Sequence, residues 1–143
     1  MTATQVVDLA IIGSGSGNAI PDDRFADKTL AIFEEGVYGG TCLNVGCIPT
    51  KMFVYASEVA EIARHGARLG VHSKVDSVDW PGIVERVFGR IDPLSQGGKE
   101  YRVDRCENIT VYDSHVEFDG RDDDGRYRLV TRDGDTVLAD EVV

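Results

Sequence analysis

Positive charge, sulfur and long apolar runs are all scarce in this chain, and each scarcity closes off a class of function. Twenty-five acidic residues face 15 lysines and arginines, a net charge of −10. A surface that acidic repels phosphate backbones and anionic headgroups, so neither nucleic acid nor a membrane surface is an expected partner. No stretch is apolar for long enough to span a bilayer. The opening MTATQVVDLAIIG has no basic segment, and Asp8 breaks its short apolar run, which does not fit a secretion signal. These absences predict a cytoplasmic protein. Three cysteines cannot build a disulfide scaffold, and in a reducing compartment a close pair points to metal binding or redox chemistry. No repeat, low-complexity linker or internal domain boundary is visible.

What remains is an ordinary globular composition, 42% hydrophobic and 28% charged over 143 residues, enough for one domain with an apolar core. VVDLAIIG (6–13) is a branched apolar run ending in glycine, which suits a buried parallel strand. The glycine-rich GSGSGNAI follows, opening toward a helix that Pro21 keeps short or irregular. KTLAIFEE (28–35) reads as a second buried strand. After Cys47 the period changes: Met52, Tyr55, Ala56, Val59, Ile62 and Ala63 recur at helical spacing, and the helix ends near Gly66 or Gly70. DWPGIVERVFGRID (79–92) predicts another helix, capped by Asp79 with Pro81 in its first turn. From Asn108 the pattern is β: ITVYDSHVEFD, RYRLVTR and TVLADEVV predict three strands joined by GRDDDG and DGD turns, with Asp122 to Asp124 as a solvated tip.

Two segments carry the chemistry. Gly13, Gly15 and Asn18 hold the places of a G-x-G-x-x-G turn, whose glycines let backbone N–H groups approach a pyrophosphate. The plain alternative is an ordinary strand–helix turn. Context favours a dinucleotide: a strand precedes the turn, and Glu34 or Glu35 ends the next strand about 20 residues on, where a ribose acceptor belongs. The second segment is GGTCLNVGCIPTK (39–51). Four residues separate Cys42 from Cys47. At the start of a helix both sulfurs meet unpaired N–H groups that stabilise a thiolate, and the pair can close into a disulfide and reopen. Half of a zinc site is the competing reading, but Cys106 is alone and His65, His72 and His115 are scattered, so no metal is expected. Two inert buried thiols are the remaining alternative. Lys51 is either a solvated first-turn lysine or a positive charge beside a redox cofactor. Gly39 and Gly40 suit a backbone passing close to a cofactor. Cys106, Trp80 and the histidines read as packing or surface.

GGTCLNVGCIPTK resembles the redox-active disulfide segment of the FAD-dependent pyridine nucleotide–disulfide oxidoreductases. GSGSGN, CIPTKMFVYA and RVFGRIDP are similar to one branch of that family more than to the others. The resemblance covers essentially all of this chain but only the first third or so of the family's length. It implies an α/β, Rossmann-like FAD-binding domain, with a parallel sheet plus a small antiparallel β-meander, present as an incomplete N-terminal part over 1–143. Gly13 and Gly15, with Ser16, Gly17, Asn18 and Gly40, would meet the FAD; Glu34 would bind the adenosine ribose and Thr41 would lie along the phosphates. Cys42 would be the interchange thiol, Cys47 the charge-transfer thiolate against the flavin, and Lys51 would lie near flavin N5.

The implied reaction moves a hydride from NADPH to FAD, then two electrons to the Cys42–Cys47 disulfide, and on to a small-molecule disulfide. The family also has an NADPH-binding domain and a homodimer interface domain that supplies a His–Glu pair. Both are expected to be absent here, none of the three histidines matches the catalytic one, and the isolated chain is not expected to turn over. A dihydrolipoamide dehydrogenase-type enzyme running toward NAD keeps the same fold. A non-catalytic nucleotide-binding or redox-sensing module is the alternative from another class.

Overall fold

The computed structural model describes residues 4–143. The chain divides into two compact units, one running to Gly40 and resuming at Ser95–Val143, the other Thr41–Leu94. The sequence reading expected no internal boundary; the first crossing directly follows Gly39 and Gly40. The second crossing falls inside a helix.

The first unit is built on a six-stranded sheet. Its strands are β1 (Gln5–Ile12), β2 (Leu30–Phe33), β3 (Ile109–Tyr112), β4 (Val116–Arg121), β5 (Tyr127–Thr131) and β6 (Thr136–Val142), in the order β3-β2-β1-β6-β5-β4. β3, β2, β1 and β6 run parallel, while β6, β5 and β4 form an antiparallel meander. The expected parallel sheet and meander are therefore one sheet that shares β6. β2 is buried at all four residues, as a parallel strand covered on both faces must be. Ala31 and Phe33 join Val7, Ala10, Leu129, Val137 and Ala139 in one core cluster, whereas Leu30 and Ile32 join Leu9, Ile11 and Tyr38 in the other. Phe33 stacks on Tyr112, with ring centroids 4.9 Å apart.

Two expectations need correction here. ITVYDSHVEFD is not one strand: it breaks at Asp113–His115 and gives the parallel edge strand β3 and the meander strand β4. Lys99 holds Asp113 at 2.6 Å and Arg132 N–H donates to the His115 carbonyl at 2.9 Å, so the break is fixed by the chain around it. The acidic tip is also not merely solvated. Asp122 accepts from the backbone N–H groups of Asp124 and Arg126, and the Arg126 guanidinium reaches Asp122, Asp124 and Asp140.

In the second unit, α1 (Gly40–Asn44) stands at the division and α2 (Cys47–His65) follows. α3 (Trp80–Arg105) starts in this unit and runs on through Pro93, Gly97 and Gly98. Asp79 caps it by accepting the Gly82 N–H at 3.1 Å. Phe53 of α2 stacks on Trp80 and meets Phe88 edge-on. The inward stripe of α2 is narrower than its sequence period suggests. Met52, Phe53, Ala56, Ala60 and Ala63 are half-buried, but Tyr55, Val59 and Ile62 are exposed.

Candidate functional site

Within the first unit the candidate dinucleotide site starts where β1 ends. Gly13 has φ +93, a left-handed conformation that favours glycine, and its N–H donates to the Phe33 carbonyl at 2.7 Å. This bond ties the turn to the end of β2. Gly40 comes back against it. A Cβ on Gly40 would stand 2.5 Å from Gly15 Cα, and its φ of +68 independently favours glycine. Gly40 therefore lies backbone to backbone against Gly15.

No α-helix follows the turn. Ser16, Gly17, Asn18 and Ala19 form a single 3-10 turn, and a second covers Asp23–Phe25. Pro21 lacks an N–H, and Asp22 starts the second turn by accepting from Arg24 N, so the segment breaks where a helix would need to continue. The short or irregular helix that Pro21 predicted is thus two separate 3-10 turns, and the N–H groups of the glycine turn are what this segment offers a pyrophosphate. The Asn18 carbonyl accepts from Arg102 at 3.4 Å.

Ser14, between the two glycines, is buried and is the residue that sequence reading missed. Its N–H and hydroxyl both donate to Glu34 Oε2, at 3.0 and 2.6 Å. Its oxygen accepts the Gly39 N–H at 2.7 Å, while Gly36 N–H donates to Glu34 Oε1 at 2.9 Å. Burial pushes the Glu34 carboxyl up. The Ser14 hydroxyl, the Ser14 N–H and the Gly36 N–H outweigh it and hold the group below the ordinary glutamate range. Next to Glu34 lies a cavity of about 200 Å³, lined also by Gly13, Glu35, Ser114 and His115. His115, read from sequence as packing or surface, faces this cavity and pairs with Glu35 at 3.2 Å. Its only sequence signal was its place just after a strand end in an α/β fold. A carboxylate with acceptor capacity left, a turn with glycine at 13, 15 and 17 and an adjacent cavity fit the ribose end of a dinucleotide.

The second unit carries the cysteines. Cys42 lies in α1 and Cys47 is the first residue of α2, so only Cys47 occupies the long helix's first turn. Both thiols are free and exposed. Hydrogen bonding with the Cys47 side chain, followed by desolvation and the Cys47 charge, pushes the Cys42 thiol up against the opposing Cys47 backbone N–H, so the shift is upward rather than downward, against expectation. Thr41 is exposed in α1, and Lys51 is exposed one turn after Cys47, on the same face of α2. Gly46 sits between the two helices. A Cβ there would stand 2.8 Å from the Thr41 carbonyl oxygen and 3.3 Å from Cys42 Cα. Among the described residues no cluster of three or more His, Cys, Asp or Glu could hold a metal ion. No helix there is long and apolar enough to cross a membrane.

No protein-family model matches the chain. Individual proteins do. Over 140 residues it is 54% identical to mycothione reductase of Mycobacterium tuberculosis (strain H37Rv), covering 97% of this chain and 30% of that protein. The chain belongs to the pyridine nucleotide–disulfide oxidoreductase family. A second relative in this family is dihydrolipoyl dehydrogenase of Halobacterium salinarum, 36% identical over 123 residues, 80% of this chain and 24% of that one. In fold, the chain matches a Cu(II) complex of the HOCl-induced flavoprotein disulfide reductase RclA from Escherichia coli, with a TM-score of 0.69 at 23% identity, over 94% of this chain and 26% of that one. The family's enzymes depend on FAD and NAD(P)H. The chain spans about 30% of the length of the mycothione reductases it matches.

Proposed function

We propose that this chain is the FAD-binding and redox-cysteine part of an NADPH-dependent disulfide reductase acting on mycothione, the disulfide of mycothiol. The close approach of the Cys42 backbone to Gly46, the residue just before Cys47 at the start of α2, carries the reading. The identity to mycothione reductase supports the substrate class. In this reading Gly13, Ser14, Gly15 and Gly40 form the cradle for the cofactor, with Ser16, Gly17, Asn18 and Thr41 beside it and Glu34 on the ribose. Bound there, FAD would supply the two electrons that open the Cys42–Cys47 disulfide.

The chain's own residues then do thiol chemistry. In the reduced pair the raised Cys42 thiol keeps its proton beside Cys47. Loss of that proton frees the Cys42 thiolate to attack one sulfur of mycothione, forming a mixed disulfide and releasing one mycothiol. The Cys47 thiolate attacks the Cys42 sulfur, releases the second mycothiol and restores the protein disulfide. Two electrons and two protons convert one mycothione to two mycothiols. Lys51, on the Cys47 face of α2, places positive charge near the electron-rich partner. The NADPH-binding and homodimer-interface parts, and the base that takes the Cys42 proton, lie in this reading outside the 143 residues. The isolated chain is then inactive, and the whole enzyme works in the cytoplasm on a small molecule, without nucleic acid or membrane.

The test is NADPH oxidation by the full-length protein with mycothione, glutathione disulfide and lipoamide in parallel. Turnover confined to mycothione, and abolished by Cys42→Ser, is the expected result. Equal or better turnover of lipoamide with NADH overturns the substrate, and full activity of Cys42→Ser overturns the mechanism.

A further inference from the structure

The arrangement around Glu34 leaves a countable remainder. A carboxylate offers about four acceptor positions. Ser14 N–H and Ser14 hydroxyl occupy both positions of Oε2, and Gly36 N–H occupies one of Oε1. One position, on Oε1, is open. The Ser14 hydroxyl cannot readily turn away: the Gly39 N–H donates into its oxygen, so its single proton is left for the carboxylate. Ser14 is also 2% exposed, which shuts out water as a replacement partner.

We propose that Ser14 is a positioning residue that withdraws Glu34 Oε2 from ligand recognition and leaves Oε1 to accept one ribose hydroxyl, so that the site reads a single hydroxyl rather than gripping the vicinal pair. This rests on the reading of Glu34 as the ribose acceptor. It adds the specificity of that contact, and assigns it to a residue that does not itself touch the ligand. The same hydroxyl anchors Gly39 next to Gly40, whose backbone lies against Gly15. Ser14 therefore fixes the acid and the glycine turn together.

The experiment uses the full-length protein stripped of cofactor and measures competition of ADP, 2′-deoxy-ADP and 3′-deoxy-ADP against FAD. Loss of a hydrogen bond to a charged group is worth about tenfold or more in affinity. The expected result is about a tenfold loss for one deoxy analogue and less than about twofold for the other. Equal losses for both overturn the inference, since they mean that Glu34 grips the pair. Ser14→Ala should weaken ADP and draw the two analogue penalties together, because Oε2 becomes available. Ser14→Thr, which keeps the hydroxyl, should restore the difference. A merely structural serine would lower all three affinities and leave their ratio unchanged, an outcome that also overturns the inference. The wild-type ratio needs no variant, so misfolding of Ser14→Ala does not block the test. If Glu34→Gln leaves ADP binding unchanged, the ribose reading itself falls and takes this inference with it. If Glu34→Gln weakens ADP while Ser14→Ala changes neither affinity nor ratio, only the role of Ser14 falls.

Discussion

Gly46 and Thr41 stand so close that a single methyl group would not fit between them: a Cβ on Gly46 would lie 2.8 Å from the Thr41 carbonyl oxygen. The obstacle is backbone, which cannot swing aside as a long side chain can. The missing side chain lets the segment carrying Cys42 come down onto the first turn of α2, where Cys47 sits.

Gly46→Ala should therefore push the two cysteines apart. We expect a loss of about 1–3 kcal/mol of stability from the overpacking and slower formation of the Cys42–Cys47 disulfide. Thermal unfolding and the rate of disulfide closure under a glutathione redox buffer check both. Wild-type closure kinetics in the alanine variant would show that the close approach does not set the cysteine geometry.

The Cys42 thiol should resist alkylation. Its bond to the Cys47 sulfur pushes it above the ordinary thiol range, and a raised thiol carries less thiolate at any given pH. Iodoacetamide labelling of the reduced protein, read by peptide mass, should show Cys42 reacting more slowly than an unstructured cysteine at neutral pH and accelerating as pH rises. Cys47→Ala removes the acceptor and should move that profile to lower pH. An unchanged profile would rule the bond out as the cause.

Glu34 makes stability depend on acid. Its carboxyl lies below the ordinary range in the folded protein, so the unfolded chain takes up its proton first as pH falls. The stabilisation is fully present above the ordinary glutamate value of about 4.3 and is lost as pH falls through the lower folded value. Denaturant midpoints of the wild type and Glu34→Gln should differ at pH 7 and converge only as pH falls below the ordinary glutamate value of about 4.3 and on through the lower folded value. A gap that persists unchanged at acid pH would contradict this account.

Phe33→Ala should cost about 3–5 kcal/mol, because it empties a buried ring position in the middle of the parallel strands and unstacks Tyr112. Urea unfolding measures it. A loss below about 1 kcal/mol would mean that the neighbouring core collapses into the gap.

Much of this was legible in residues that act locally. The branched run ending at Gly13, the Asp79 cap and the helix from Cys47 each state their structure within a few positions, and the structure has β1, α3 and α2 there. The family could be read because GGTCLNVGCIPTK is long and unusual. What escaped depends on partners far along the chain. Ser14 is an unremarkable residue between glycines until Glu34, 20 positions on, accepts its proton. Ile109 to Tyr112 looked continuous with the following strand because its apolar period does not reveal that its neighbour is β2, a parallel partner some 80 residues earlier. The same holds for Tyr55, Val59 and Ile62, whose helical spacing is apolar without their being buried. The direction of the Cys42 shift could not be read either, since it depends on where a proton points.

The position of β6 has a consequence for synthesis on the ribosome. β1 is made first, yet one of its two neighbours is β6, on the order of 120 residues later. At roughly 5–20 residues per second, that edge of β1 waits about 6–25 s for its partner. One of the two strands at the middle of the sheet spends that interval with a row of unpaired N–H and C=O groups, so the newborn chain is open to wrong pairing at its own centre.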